Sequence, residues 1–246
     1  MKHVNTSPAY IQAPITREYV ENFYNLVTAD AWTILAGAGE GVTTRGIGGG
    51  ALITFDTDAN DEAAVYTTSK LVPGTTNLVP FEVTGRVIQS ATTGVDVFVG
   101  LSSAFGANMI ADTPVVPSTG YYNGLMSLNG SALYYVSIHN AAATAAVLLT
   151  AQPVAGTAWS YRLNYQYNSV DSSLICTPEV DVAGGQNFKP VRASGSESPV
   201  HPAFYQSPNV YGAFPAAGLN YGIYAKATTT TTVVWDYAAW AIRRFN

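Results

Sequence analysis

Glu179-Val180-Asp181-Val182-Ala183 is the segment whose spacing comes nearest to catalysis. Acids at alternate positions of a strand share one face, about 6–7 Å apart per step. Two such carboxyls, one nucleophile and one acid/base, are what a retaining glycosidase needs. In the spacing Glu-x-Asp-x-Glu one of those two essential groups falls at the last position, where Ala183 stands, so the segment predicts a short polar strand and no catalytic site. Asp56-Thr57-Asp58-Ala59-Asn60-Asp61-Glu62 places oxygen ligands at alternate positions, as a calcium loop does. Ala63 occupies the place of the turn glycine and no acid closes the loop downstream. An acidic turn is expected there, with no metal.

Other candidates carry less. Gly37-Ala38-Gly39-Glu40-Gly41 and Gly46-Ile47-Gly48-Gly49-Gly50 precede a strand pattern, whereas a phosphate cradle leads into a helix N-terminus. His3, His139 and His201 lack metal-ligand spacing. No nucleophile elbow surrounds Ser102, Ser103 or Ser196. Cys176 is the single cysteine and reads as a small buried hydrophobe. Trp32, Trp159, Trp235 and Trp240 have faces that suit sugar stacking, but their place in alternating strands predicts that they fill a core. No cofactor is implied, and the chain is expected not to be an enzyme.

The elements that carry these residues are strands. Phe81, Val83, Gly85 and Val87 alternate with Glu82, Thr84 and Arg86, and Val95, Val97, Val99 and Leu101 alternate with Asp96 and Phe98. Further runs are Ala31–Leu35, Ala51–Phe55, Ala63–Thr68, Leu125–Leu128, Ala132–Ile138, Ala145–Thr150, Trp159–Gln166, Leu174–Cys176, Tyr221–Ala227 and Val233–Ile242. Asn129-Gly130 supplies the positive φ of a tight hairpin. These short strands predict an all-β fold, an antiparallel jelly-roll or β-sandwich, in one domain over residues 29–246. Residues 1–28 form an N-terminal arm. Thr16 is placed to cap a short helix there, because Val20, Phe23, Tyr24 and Val27 recur at helical spacing. A long Pro-rich loop spans residues 178–220.

Composition limits the partners. The 246 residues are 48 % hydrophobic but only 11 % charged, against roughly 25 % in an average soluble domain. A weakly charged surface suits a protein held in an assembly. The net charge of −5 and scattered Lys and Arg exclude the basic stripe that nucleic acid requires and disfavour anionic membranes. Met1 leads into a polar stretch, so no cleaved signal is expected.

The order of segments is familiar. Ala31-Trp32-Thr33-Ile34-Leu35 precedes a Gly-rich turn and Ala51-Leu52-Ile53-Thr54-Phe55. Then come Pro80-Phe81-Glu82-Val83-Thr84-Gly85-Arg86-Val87, Val97-Phe98-Val99-Gly100-Leu101-Ser102 and Val234-Trp235-Asp236-Tyr237. This resembles the concanavalin-like jelly-roll proteins that decorate or cement the capsids of tailed bacteriophages. The resemblance implies a non-enzymatic virion structural protein, a dimer or trimer on the capsid surface, assembled in the host cytoplasm and partnered by the major capsid protein. The arm residues Tyr10, Ile11, Ile15, Tyr19 and Phe23 and the loop residues Phe204, Tyr205, Tyr211 and Phe214 are then the apolar anchors on that partner. The alternative is a carbohydrate-binding jelly-roll module, or a receptor-binding spike or fibre component, with an exposed Trp or Tyr on a sheet face.

Overall fold

The computed structural model describes residues 15–23, 31–37, 40–45, 49–58, 61–72, 79–111, 120–139, 144–168, 173–190 and 217–243. The strands are β1 (Ile15–Glu21), β2 (Trp32–Ala36), β3 (Gly41–Thr44), β4 (Ala51–Phe55), β5 (Asp61–Thr67), β6 (Phe81–Gln89), β7 (Val95–Ser102), β8 (Tyr121–Ser127), β9 (Tyr134–His139), β10 (Thr144–Leu148), β11 (Ala158–Asn168), β12 (Ser173–Asp181), β13 (Lys189–Pro190), β14 (Asn220–Ala227) and β15 (Thr231–Arg243). They build two antiparallel sheets. Sheet A runs β13-β12-β11-β6-β15-β4-β3, with β1 also on β15, and sheet B runs β10-β9-β8-β7-β14-β5-β2. The fold is the all-β sandwich that the alternation predicts.

The alternating residues of β6 confirm why. Phe81, Val83, Val87 and Gln89 are buried, while Glu82, Thr84, Arg86 and Ile88 are only partly so. Every residue of β7 is buried, because both faces of sheet B are covered there. The interior is aromatic: Phe23, Trp32 and Trp235 lie within 5.3 Å of one another, ring centre to ring centre. A chain of hydrogen bonds crosses it. Trp235 Nε1 donates to the Tyr161 hydroxyl at 3.1 Å, and the Tyr221 hydroxyl donates to the Thr84 carbonyl at 2.6 Å. The 2.7 Å contact between the two phenols therefore runs from Tyr161 to Tyr221, since the Tyr221 proton is already spent. Gly85 makes the space: a Cβ there would lie 2.5 Å from the Tyr161 hydroxyl oxygen. Burial raises both phenol pKa values far above the usual range.

The arm departs from expectation. Residues 15–21 form a strand, not a helix, and Arg17–Glu21 pair with Ile242–Ala238 of β15. β15 runs 13 residues, and β4 covers only Thr231–Trp235. The remaining half would expose an unpaired edge, and a ladder on an existing template outweighs an isolated short helix. Tyr19 stacks on Trp240 at 4.1 Å, and Phe23 is wholly buried. These two predicted partner anchors are thus packed into the chain's own core. A bulge between Trp235 and Tyr237 lets Trp235 and Trp240, five positions apart, both face inward.

Two other boundaries shift. β3 lies inside the stretch expected to be one glycine-rich turn. β12 continues through Pro178 to Asp181, so the segment expected as a loop begins as strand. Pro178 lies opposite Leu163 of β11, and β13 pairs with the next two residues, Glu179 and Val180.

Candidate functional site

The acid pattern of β12 lies on the outer face of sheet A, and both acids are occupied. Arg162 Nε donates to Glu179 Oε2, and the Arg162 guanidinium lies 4.8 Å from the Phe188 ring centre. Asp181 accepts the amide N–H groups of Ala183 and Asn187 at 2.9 and 3.1 Å, closing a turn. Beside them, Arg86 donates to buried Asp236 from Nε at 2.6 Å and from a second guanidinium nitrogen. Arg45 reaches the other Asp236 oxygen at 3.4 Å. On this face Glu179 and Asp236 are closed into ion pairs and Asp181 is held by backbone amides.

The outer face of sheet B is different. Pairing register puts Ala64, Tyr224, Phe98, Met126 and Tyr134 in one row across five strands. The next row reads Tyr66, Gly222, Gly100, Gly124 and Val136. Three glycines side by side leave a bare backbone strip. A Cβ at Gly100 would lie 2.4 Å from the Asn123 carbonyl oxygen, and its φ of 146° is open to glycine. The strip lets aromatic rings lie against the backbone. Phe98 covers Gly124, with ring carbons 2.9 Å from its notional Cβ, and Phe105 covers Gly222 at the same distance.

Phe105 belongs to a strap, residues 103–111, that crosses this face. Phe105 stacks on Tyr66 at 5.1 Å, and Met109 and Ile110 join the same apolar cluster. The strap is tied by a third row, Glu62, Lys226 and Asp96, on adjacent strands. Glu62 accepts the Asn108 amide N–H at 2.6 Å and the Tyr224 hydroxyl. Lys226 Nζ donates to the Ile110 carbonyl at 3.0 Å and to Asn108 Oδ1 at 3.4 Å. Burial raises the Asp96 pKa, opposed by the Asn129 amide and by Lys226. Burial and the Glu62 carboxylate raise that of Tyr224 beyond the usual phenol range. Tyr66, Tyr122 and Tyr134 flank the strap, packed against the cluster but only partly buried. Tyr122 meets Phe98 edge-on at 6.0 Å. The arrangement can offer hydroxyls and aromatic faces to a ligand, and its charged groups are engaged by backbone amides, carbonyls and neighbouring polar side chains.

Of the predicted site residues, Tyr10, Ile11, Phe204, Tyr205, Tyr211 and Phe214 lie outside the described residues, and Ile15 contributes its backbone to β1. Tyr19 and Phe23 are brought together in the core. Trp32, Trp159 and Trp235 are buried to within 1 %, and partly buried Trp240 stacks on Tyr19 and meets Trp32 and Tyr221 edge-on, so none is the solvent-exposed tryptophan that a carbohydrate module was expected to show. His139 ends β9; His3 and His201 lie outside the described residues. Cys176 is buried, and its thiol is pushed up to about 12 by burial. Among the described residues no three His, Cys, Asp or Glu side chains are grouped to hold a metal ion. The glycine row, Tyr66, Tyr122, Tyr134 and Phe105 were not singled out from sequence. Their signal was a glycine inside each of three apolar runs, at Gly100, Gly124 and Gly222.

No protein-family model matches the sequence, and no curated protein matches it. Solved structures do resemble the fold. A Shewanella oneidensis MR-1 protein of unknown function superposes with a TM-score of 0.57 at 15 % identity, over 93 % of this chain and 89 % of that one. Peanut lectin superposes at 0.54 and 10 % identity, over 94 % and 98 %. The carbohydrate recognition domain of Emp47p superposes at 0.52 and 11 % identity, over 95 % and 98 %. The chain thus has a concanavalin-like, lectin-type jelly-roll fold.

Proposed function

We propose that this protein is a non-enzymatic carbohydrate-binding module whose ligand lies on the outer face of sheet B beside the strap. The observation that carries the reading is the group of partly buried tyrosines, Tyr66, Tyr122 and Tyr134, on an otherwise apolar sheet face. Sugar rings present C–H faces that pack on aromatic rings, while hydroxyls take hydrogen bonds from polar tips. Two of the fold's neighbours, peanut lectin and the Emp47p carbohydrate recognition domain, bear names of that class, which supports the reading. The tyrosines take the part that exposed tryptophans were expected to play.

The test is binding of the full chain to a panel of immobilised mono- and oligosaccharides, followed by titration of the strongest ligand. Tyr122→Ala and Tyr134→Ala are expected to weaken binding tenfold or more, about 1.4 kcal/mol, while Tm stays within a few degrees. No binding to any glycan, or binding unchanged in both variants, overturns the reading.

A second reading is favoured by the charged content of 11 % and by the exposed Val20 on the β1 edge. It is a virion structural protein, a homo-oligomer seated on a major capsid protein. Sedimentation of the purified chain as a monomer, together with no binding to capsids lacking it, would remove this reading.

A further inference from the structure

One cluster belongs to neither outer face and stands where the chain passes between the sheets. Glu40 immediately precedes β3, Asp56 immediately follows β4, and Asp61 opens β5. Asp61 is only 7 % exposed. Its Oδ2 is enclosed and receives no hydrogen bond, and the same holds for Glu40 Oε2. Two of the other oxygens are spent locally. Asp56 Oδ1 accepts the Asp58 amide N–H at 2.7 Å, and Glu40 Oε1 accepts that of Glu62 at 3.2 Å. An enclosed carboxylate oxygen without a donor is costly, and each of these has a second carboxylate for company.

Among the described residues no cation forms an ion pair with Glu40, Asp56 or Asp61. Burial is the largest cause that pushes the Asp61 carboxyl up, to about 6, and Asp56 and Glu40 both add to it. On β14 the residue opposite Asp61 is Ala227. Lys226, one position away, lies opposite Glu62 and directs its Nζ to Asn108 and Ile110. The Glu62 carboxylate is engaged by Asn108 and Tyr224. Asp58 is exposed in the turn between Asp56 and Asp61. Gly37, beside Glu40, contributes no charge.

We propose that Glu40, Asp56 and Asp61 form a proton-held latch between the two sheets. In mild acid one proton on Asp61 is shared with the neighbouring carboxylates, so that the orphaned oxygens become hydrogen-bonded. At neutral pH three carboxylates repel across the same junction. The sign follows from linkage. The folded-state pKa of about 6 stands above the ordinary carboxylate value of about 3.9. The latch therefore contributes stability that is fully present below about pH 4 and is lost as pH rises through about 6. The inference is independent of the ligand reading.

The test is thermal unfolding of the full chain in chelator, comparing wild type with Asp61→Asn between about pH 7.5 and about pH 4.5. Asparagine keeps the shape and carries a permanent N–H donor. Asp61→Asn is expected to melt on the order of 3 °C or more above wild type at neutral pH, and the gap is expected to close in acid. Comparing the two proteins removes the titration of every other group. Glu40→Gln, which brings the donor from the other side of the junction, is expected to show the same closing gap. A gap that stays constant with pH, or both variants melting below wild type at every pH, overturns the latch. So does an excess of Ca2+ at neutral pH that raises the wild-type Tm and leaves Asp61→Asn unmoved, because a cation would then be the missing partner.

Discussion

The two outer faces of this sandwich solve the same problem in opposite ways. Sheet A carries charge in pairs that close on themselves: Arg86 and Arg45 on Asp236, and Arg162 on Glu179. Sheet B carries glycine and aromatic residues that need a cover, and the strap 103–111 provides most of it. A self-neutralised face has little left to offer a ligand. A face that is flat, aromatic and covered along one stripe has rings to spare at the margins of that stripe. The difference teaches where recognition can be built without disturbing the fold, since Tyr122 and Tyr134 are held by neighbours yet remain partly open.

If the glycine strip is what shapes the sheet B face, replacing one glycine must cost more than any change on sheet A. Gly100→Ala is the most severe case. The added Cβ meets backbone, the Asn123 carbonyl oxygen at 2.4 Å and the Gly124 Cα at 2.6 Å, at a φ of 146°. Neither β7 nor β8 can give way without breaking its ladder. The expected loss is about 3 kcal/mol or more, read as the fall in urea midpoint. Phe105→Ala comes next. It empties the contact over Gly222 and removes the ring stacked on Tyr66, for about 2–3 kcal/mol. It also frees the strip, so amide exchange in β14 and β7 is expected to rise. A Phe105→Ala loss below that of the sheet A changes would break the comparison.

On sheet A the largest single change is Arg86→Ala. It removes both donors from Oδ2 of Asp236, which is 6 % exposed, and leaves Arg45 on Oδ1 at 3.4 Å. An unpaired buried charge costs about 3–5 kcal/mol. Arg86 is itself 38 % exposed, so solvent screens part of that, and about 1–2 kcal/mol is expected. The sensitive readout is salt: the wild-type pair weakens at high ionic strength and the gap to Arg86→Ala narrows.

Much of this fold is legible in the sequence. The alternation of β6 and β7 is set by the two-residue period of the strand, and the sheet then needs an inner face. The Asn129-Gly130 turn has positive φ at both residues, 41° and 79°, as the dipeptide demands. The arm was not legible, because apolar spacing from Val20 onward matches a helix while the decisive fact is distant: β15 outruns β4 and leaves an edge that β1 fills. The sheet B face was legible only in pieces. Gly100, Gly124 and Gly222 are far apart in the chain, and they become one strip only through the order β8-β7-β14, which no local pattern encodes. Trp240 shows the same limit, since it faces inward only because of the bulge after Trp235.

Glu179→Gln is expected to have the smallest effect, and it sharpens what a self-neutralised face means. Its carboxylate and Arg162 are 14 % and 27 % exposed, so water already solvates part of the pair. The glutamine carbonyl still accepts the Arg162 N–H, and Arg162 keeps the Phe188 ring, 4.8 Å away. Removal of one charge from such a pair is expected to cost about 0.5–1 kcal/mol. The urea midpoint should shift slightly and the slope not at all, because the surface exposed on unfolding is unchanged. A loss as large as that of Gly100→Ala would mean that the charges of sheet A are held as rigidly as the glycine strip of sheet B, and the contrast between the faces would be one of polarity alone.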